Sequence, residues 1–348
     1  MTFRYIGSKA RLADHLAEFI GSPVSPEGKF VDAFCGTGAV AEVAAKQGWQ
    51  VWLNDHLVSA GIVAAARLIS KGDVSFKPLG GHAKAIKYLN SLPAIKGYIW
   101  REYSPASINA VGIERRYFTQ ENAGRIDAIR AQIREWKNAG NLTDIEERLL
   151  IAELLSATNR VANIAGTYGC FLSTWTRQSE SVLALHAKKL HAQKTEVIIT
   201  NEDVTNLIVQ PDDLVYLDPP YTKRQYASYY HILETISLGD EPVVEGVAGL
   251  RPWKDKASDY CYKTRALQAL TNLIANLNAK RILLSYSAEG HVPIDDLHKK
   301  LEHIGQVKTH ALTAIGRYRP NKVASATNSS VSEYLIVIDK AKKPKKRR

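Results

Sequence analysis

The sequence predicts an α/β protein: a Rossmann-like parallel sheet whose chain is interrupted by a mainly helical insertion. Three observations lead there. Residues 29–53 read strand, glycine turn, helix, strand, and that order makes a βαβ unit with parallel strands. Helical periodicity then dominates from about residue 60 to residue 190. Afterwards short apolar strand patterns return at 196–200, 214–217, 281–286 and 334–338.

Each element has a local cause. Residues 10–20 carry apolar side chains at helical spacing, and Gly21, Pro23 and Pro26 stop the helix. The apolar run 29–34 enters Cys35-Gly36-Thr37-Gly38, and the alanine-rich stretch 39–46 favours a helix. Residues 50–53 form the next strand, which ends at Asn54-Asp55. Within the insertion, Ile126, Ile129, Ile133 and Trp136 share one helical face, and 145–155 repeats the pattern. Gly166-Thr167-Tyr168-Gly169 breaks it. Helices are also predicted over 229–236 and 264–277. The domains that follow are a discontinuous sheet domain, 1–60 and 196–339, a helical insertion, 61–195, and a basic tail, 340–348.

Composition narrows the class. The chain has 348 residues, 45% hydrophobic and 23% charged, enough apolar content for a full core and an extra domain. No apolar run reaches the roughly 18–20 residues of a membrane span. The first residues lack a signal-peptide core, so a soluble, cytoplasmic protein with no membrane partner is expected. Cys35, Cys170 and Cys261 stand far apart, giving neither a disulfide framework nor a metal site. The formal charge of +11 is unevenly placed. Residues 75–195 carry a surplus of seven cations, the tail carries seven more, and the remainder is slightly acidic. Such a distribution suits a near-neutral body with a separate surface for a polyanion.

Two turns carry the chemistry. Gly36 and Gly38 follow a strand and open a helix, where backbone can approach a ligand closely. Asp32 lies on the strand, and Asp55 ends the next one, 19 residues after Gly36, where an acid can take ribose hydroxyls. This pattern points to a nucleoside cofactor without saying which, and the missing Walker lysine argues against ATP. The second turn is Leu214-Val215-Tyr216-Leu217-Asp218-Pro219-Pro220-Tyr221. Its prolines remove donors and fix an extended turn. That leaves the Asp218 carboxylate and the Pro219 carbonyl as acceptors beside the Tyr221 ring, a site suited to an amine on a planar heterocycle.

Asp-Pro-Pro-Tyr, Phe34-Cys35-Gly36-Thr37-Gly38 and Arg4-Tyr5-Ile6-Gly7-Ser8-Lys9 together resemble the alpha group of adenine-specific DNA methyltransferases, the Dam-like class. Tyr103-Ser104-Pro105, Arg115-Arg116-Tyr117-Phe118 and the stretches 159–172, 229–235, 283–290 and 333–338 resemble it as well, so the likeness spans residues 4 to about 338. The resemblance implies a methyltransferase sheet domain with an inserted target-recognition domain. It implies S-adenosylmethionine as methyl donor, S-adenosylhomocysteine as product, and no metal. Tyr5 and Lys9 would line the cofactor pocket, with Lys9 on the methionine carboxylate. The family often has Trp and Gly-Gly where this chain has Tyr5 and Gly7-Ser8. Asp32, Gly36 and Gly38 match the cofactor loop and Asp55 the ribose acid. Asp203 would take the cofactor adenine edge, and Asp218 would border the cofactor as well as the substrate.

By the same resemblance the reaction is methyl transfer to the N6 amine of an adenine flipped out of double-stranded DNA. Asp218 in place of Ser favours adenine over cytosine. Arg101, Arg115, Arg116, Asn163, Tyr168 and Lys188 are the candidate DNA contacts in the insertion. The setting implied is a restriction–modification system with a separate cognate endonuclease, or an orphan methylase. The alternatives are an RNA adenine methyltransferase and a catalytically silent DNA-binding protein of the same fold. His231 is expected to pack rather than act as a base. His186 and His191 lack a ligand spacing, and Trp49, Trp52 and Trp253 are expected in core or lining positions.

Overall fold

The computed structural model describes residues 4–7, 9, 12–312 and 333–340. Ser8, within the N-terminal motif, and the tail beyond Lys340 lie outside the described residues. In chain order the helices are α1 (Ala13–Ile20), α2 (Ala39–Lys46), α3 (Val58–Ala66), α4 (His82–Ser91), α5 (Tyr98–Tyr103), α6 (Ile108–Val111), α7 (Gln120–Asn138), α8 (Asp144–Val161), α9 (Tyr226–Tyr229), α10 (His231–Leu238), α11 (Ala266–Asn276) and α12 (Ile294–Leu301). The strands are β1 (Lys29–Asp32), β2 (Gln50–Asn54), β3 (Val197–Thr200), β4 (Leu214–Leu217), β5 (Arg281–Ser287), β6 (Gly305–Leu312) and β7 (Glu333–Lys340). Contacts divide the chain into two compact units: 1–7, 57–194 and 227–256 form one, and 8–56, 195–226 and 257–348 the other.

The second unit holds one seven-stranded sheet in the order β3-β2-β1-β4-β5-β7-β6. β3, β2, β1, β4 and β5 are parallel, and β7 runs antiparallel between β5 and β6. This is the doubly wound, Rossmann-like sheet expected. Its central strands bury side chains on both faces, as a covered parallel sheet requires. Val31, Val215, Leu217, Ile282, Leu284, Ile336 and Ile338 point into a core shared with Leu270, Leu273 and Ile274 of α11 and Leu297 and Leu301 of α12. Phe30, Leu214, Tyr216, Leu283, Leu335 and Val337 point the other way, onto Leu16 and Ile20 of α1 and Val40 and Ala44 of α2. One-residue alternation between two apolar layers explains why these strands read as unbroken apolar runs.

β6 carries no strand signal in the sequence. Gln306, Lys308, Thr309 and Ala311 are exposed on this edge strand, which is defined by its ladder to β7. Lys340, counted above with the basic tail, instead ends β7. Its Nζ donates to the carbonyls of Ile274 and Ala275 at 2.8 and 2.9 Å and to that of Leu277. A cation there satisfies orphan carbonyls at the C-terminus of α11.

The helical unit differs from the expected 61–195 in taking in 1–7 and 227–256 as well. Inside it α3 packs on α8 and α10, and α7 on α5 and α8. A capping box, Thr143 with Glu146, starts α8, and Thr119 caps α7. Arg4 explains why the N-terminal residues belong here: its backbone N–H donates to Asn159 Oδ1 at 2.9 Å, and its guanidinium donates to the carbonyls of Asn159, Ala162 and Ile164. The segment 227–256 joins through α10. Buried Glu234 accepts from the N–H groups of Val58 and Ser59 at 3.1 and 2.9 Å and pairs with Lys256 at 2.9 Å.

Candidate active site

The strand order reverses at β1, which has β2 on one side and β4 on the other. Ligands of open parallel sheets bind at the carboxyl edge of such a switch point. Because β1 and β4 are parallel neighbours, with Asp32 opposite Tyr216, the glycine loop after β1 and the Asp218–Tyr221 turn after β4 leave the sheet side by side.

The loop is drawn tight at both ends. Gly36 and Gly38 have φ of 49° and 71°, the left-handed region open to glycine. The Cys35 N–H donates to Asn54 O at 2.9 Å, and the Gly36 N–H to Asp55 Oδ2 at 3.0 Å. Asn54, buried at the end of β2, donates to Ala33 O and Glu202 O and accepts from Thr200 and from the Glu202 N–H. That side chain, unremarked in the sequence, ties the loops after β1, β2 and β3 together. The Cys35 thiol is pushed well up by burial and then by Asp55 and Asp32, so it is an inert lining group.

Charge in the site is lopsided. Asp32 is 2% exposed, and its Oδ1 has no hydrogen-bond partner among the described residues. Burial, then Asp218 and Asp55, raise its carboxyl well above the usual range, against a hydrogen bond from the Ala41 backbone. The Asp218 carboxyl is raised to about 6: burial and Glu333 push it up, while Lys9 pulls it down. Lys9 is 6% exposed, with its Nζ 3.2 Å from both Asp218 Oδ1 and Glu333 Oε2 and 5.2 Å above the Tyr221 ring. Burial alone would lower this ammonium; Asp218, Tyr221, Glu333 and Tyr216 together hold it well above its ordinary value. The lysine expected on a cofactor carboxylate is therefore engaged with two protein carboxylates.

Tyr221 is held by its backbone. Its carbonyl accepts from the His291 N–H at 2.8 Å, and its ring packs edge-on to Tyr286 at 5.7 Å between centroids. Asp203 is exposed and caps the turn Val204–Asn206, accepting from the Thr205 N–H at 2.8 Å. Tyr5 belongs to the helical unit, where it stacks on Tyr230 at 4.5 Å.

Three of the six candidate DNA contacts are corrected by burial. Arg115 is 2% exposed and spends its guanidinium on Glu102 and on the Gly246 and Val247 carbonyls. Asn163 bridges Arg116 O, Leu172 O and the Thr176 N–H. Tyr168 is fully buried, its carbonyl facing the Tyr117 hydroxyl and His231 Nε2. These residues shape loops. Arg101 and Arg116 reach the surface in ion pairs with Glu102 and Glu241, and with Glu114, while Lys188 is half-buried. His231 packs as expected, with burial pushing its imidazole down to about 3. Trp49 lies in the core and donates to Gly21 O at 2.7 Å.

A sheet of this order, with a glycine loop and an acid-proline turn on one rim, is the Rossmann-like arrangement expected of a methyltransferase. The sequence model of the D12 class N6 adenine-specific DNA methyltransferases matches residues 5–297, and the chain belongs to that family. It is 35% identical to the type II methyltransferase M.FokI of Planomicrobium okeanokoites over 97% of this chain and 52% of that protein. With the modification methylase StsI of Streptococcus sanguinis it shares 35% identity over 84% of this chain and 45% of that protein. The chain thus spans about half the length of these two relatives. Against the type II methyltransferase M.NlaIII of Neisseria lactamica, identity is 30% over 97% of this chain and 99% of that protein. Among the described residues no helix is long and apolar enough to cross a membrane, and no cluster of His, Cys, Asp or Glu could hold a metal ion.

Proposed function

We propose that the chain transfers a methyl group from S-adenosylmethionine to the N6 amine of an adenine flipped out of double-stranded DNA. The observation that carries this reading is the adjacency of β1 and β4, which sets the glycine loop beside the Asp218–Tyr221 turn.

The residues fit the cofactor by charge. Asp218 and Asp55 raise the Asp32 carboxyl, Asp55 and Asp32 raise the Cys35 thiol, and Lys9 pairs with Asp218. A ligand carrying a sulfonium and an ammonium offsets such an excess of anionic groups, and the unpartnered Asp32 Oδ1 is open to a donor. Asp55 and the glycine loop would hold its nucleoside end, with Asp203 a further acceptor at the same carboxyl edge. When bound, it supplies an electrophilic methyl group.

The protein's own part is positioning. An adenine amine is a weak nucleophile because its lone pair is delocalised into the ring. Hydrogen bonds from that amine to Asp218 and to the Pro219 carbonyl favour a pyramidal nitrogen with its lone pair free. Pro220 keeps the turn extended, and Tyr221 offers a flat face to the base. Extruding the base costs a few kcal/mol, which basic contacts to the DNA backbone offset; Arg101, Arg116, Lys188 and the tail are the candidates for these. Relatives named as type II methyltransferases and a modification methylase support a restriction–modification setting, with a separate cognate endonuclease, for this chain.

The test is methyl transfer from labelled S-adenosylmethionine to genomic DNA, followed by sequencing for N6-methyladenine. The parent should label duplex DNA at one sequence context. Asp218→Ala should lower turnover by about a thousandfold or more while still binding DNA. Labelling of structured RNA alone, or full activity in Asp218→Ala, would overturn the proposal.

A further inference from the structure

Glu333 opens β7, 115 residues beyond Asp218 in the chain, and belongs to neither motif that marks the site. Yet it meets the catalytic turn through Lys9. The ammonium stands at equal distances of 3.2 Å from both acids, and the two contacts differ in alignment. Lys9 Nζ donates a hydrogen bond to Glu333 Oε2. Asp218 Oδ1, in contrast, is buried and meets the ammonium as an ion pair without good hydrogen-bond geometry, which leaves it acceptor capacity to spare. The ammonium, with three hydrogens to give, is shared between the two acids, and its well-formed hydrogen bond goes to Glu333.

A buried carboxylate oxygen that is only partly satisfied carries a desolvation cost that an incoming donor relieves. The exocyclic amine of adenine is such a donor. Were Lys9 to pair with Asp218 alone, the amine would have to compete with a fully committed ammonium for that carboxylate. We propose that Glu333 is a positioning residue for methyl transfer: by holding the Lys9 ammonium it leaves the Asp218 acceptor open for the substrate amine.

This inference rests on the methyl-transfer reading above and adds to it the requirement for a second, non-motif carboxylate. The groups facing Asp218 are Lys9, Glu333, Tyr216, Tyr221 and, across the β1–β4 rim, Asp32. Removing the Glu333 charge acts on this set in two ways. It leaves the Lys9 ammonium to Asp218 alone, and it takes away the like charge that raises the Asp218 carboxyl.

The experiment compares the parent, Glu333→Gln and Glu333→Asp in single-turnover methyl transfer across pH, with affinities for S-adenosylmethionine and DNA measured separately by calorimetry. Glu333→Gln should lose about tenfold or more in the methyl-transfer rate with both affinities kept within about threefold. Its acid limb should move below that of the parent. Glu333→Asp, which keeps the charge, should recover most of the rate. If Glu333→Gln fails to fold, Glu333→Asp against Glu333→Ala supplies the same contrast. Glu333→Gln within twofold of the parent, with the acid limb unmoved, would overturn the role of Glu333 alone. An Asp variant as slow as the Gln variant would also overturn it, since shape rather than charge would then matter. A parent that methylates no nucleic acid would sink the methyl-transfer reading itself, and this inference with it.

Discussion

A carboxylate that must accept a hydrogen bond from an amine works only when ionised, and Asp218 is held to about 6 by burial and Glu333 against the pull of Lys9. The methyl-transfer rate is therefore expected to be full above pH 7 and to fall about tenfold per unit below pH 6, read in a pH–rate profile at saturating substrates. A flat profile down to pH 5 would contradict that dependence. Asp32 has the opposite balance of stability and use. Its folded carboxyl lies well above the range of an unfolded chain, so its ionised form costs stability at neutral pH. Asp32→Asn should raise the Tm of the ligand-free protein at pH 7–8, by about 2–4 °C per kcal/mol relieved. The gain should shrink as pH falls and vanish below about pH 3, where the acid is neutral in both states. The same variant should bind S-adenosylmethionine about tenfold or more weakly, which calorimetry would show.

Elements in this chain are fixed partly by their own residues and partly by distant ones. Helix α2 covers the residues its alanine run predicts, and β4 those of its apolar run, because propensity, burial and flanking turns agree there. The start of α3 is different. It lacks a side-chain cap of its own, and the donors at Val58 and Ser59 are taken by Glu234 from α10, more than 170 residues later. Glu234→Ala would leave the Val58 and Ser59 donors without their acceptor. The expected cost is about 3 kcal/mol, seen as a lower Tm and as faster amide exchange at the first turn of α3. Unchanged exchange there would show that water replaces the carboxylate freely.

At the scale of the whole molecule, charge and connectivity separate the work. The sheet unit supplies a small, crowded set of buried charges, whereas much of the cation surplus lies in the insertion and tail. Residues 341–348 carry six cations. Removing them, with Lys340 kept as the partner of α11, should flatten the dependence of DNA affinity on salt by about three to five in the log–log slope. An unaltered slope would show that the tail takes no part in binding.

By itself the sequence determined what is local. It announced the glycine loop, the Asp218–Tyr221 turn, most helices and strands, and the family, since short spacings and periodicities carry that information directly. Tertiary structure decided what depends on residues far apart in the chain. It made β1 and β4 neighbours, recruited β6 as an edge strand with no apolar signal, buried Arg115, Asn163 and Tyr168, and brought Glu333 to Lys9 across 324 residues. The physical reason is that burial and the pairing of charges are set by what packs opposite a side chain, and no stretch of neighbouring residues encodes that partner.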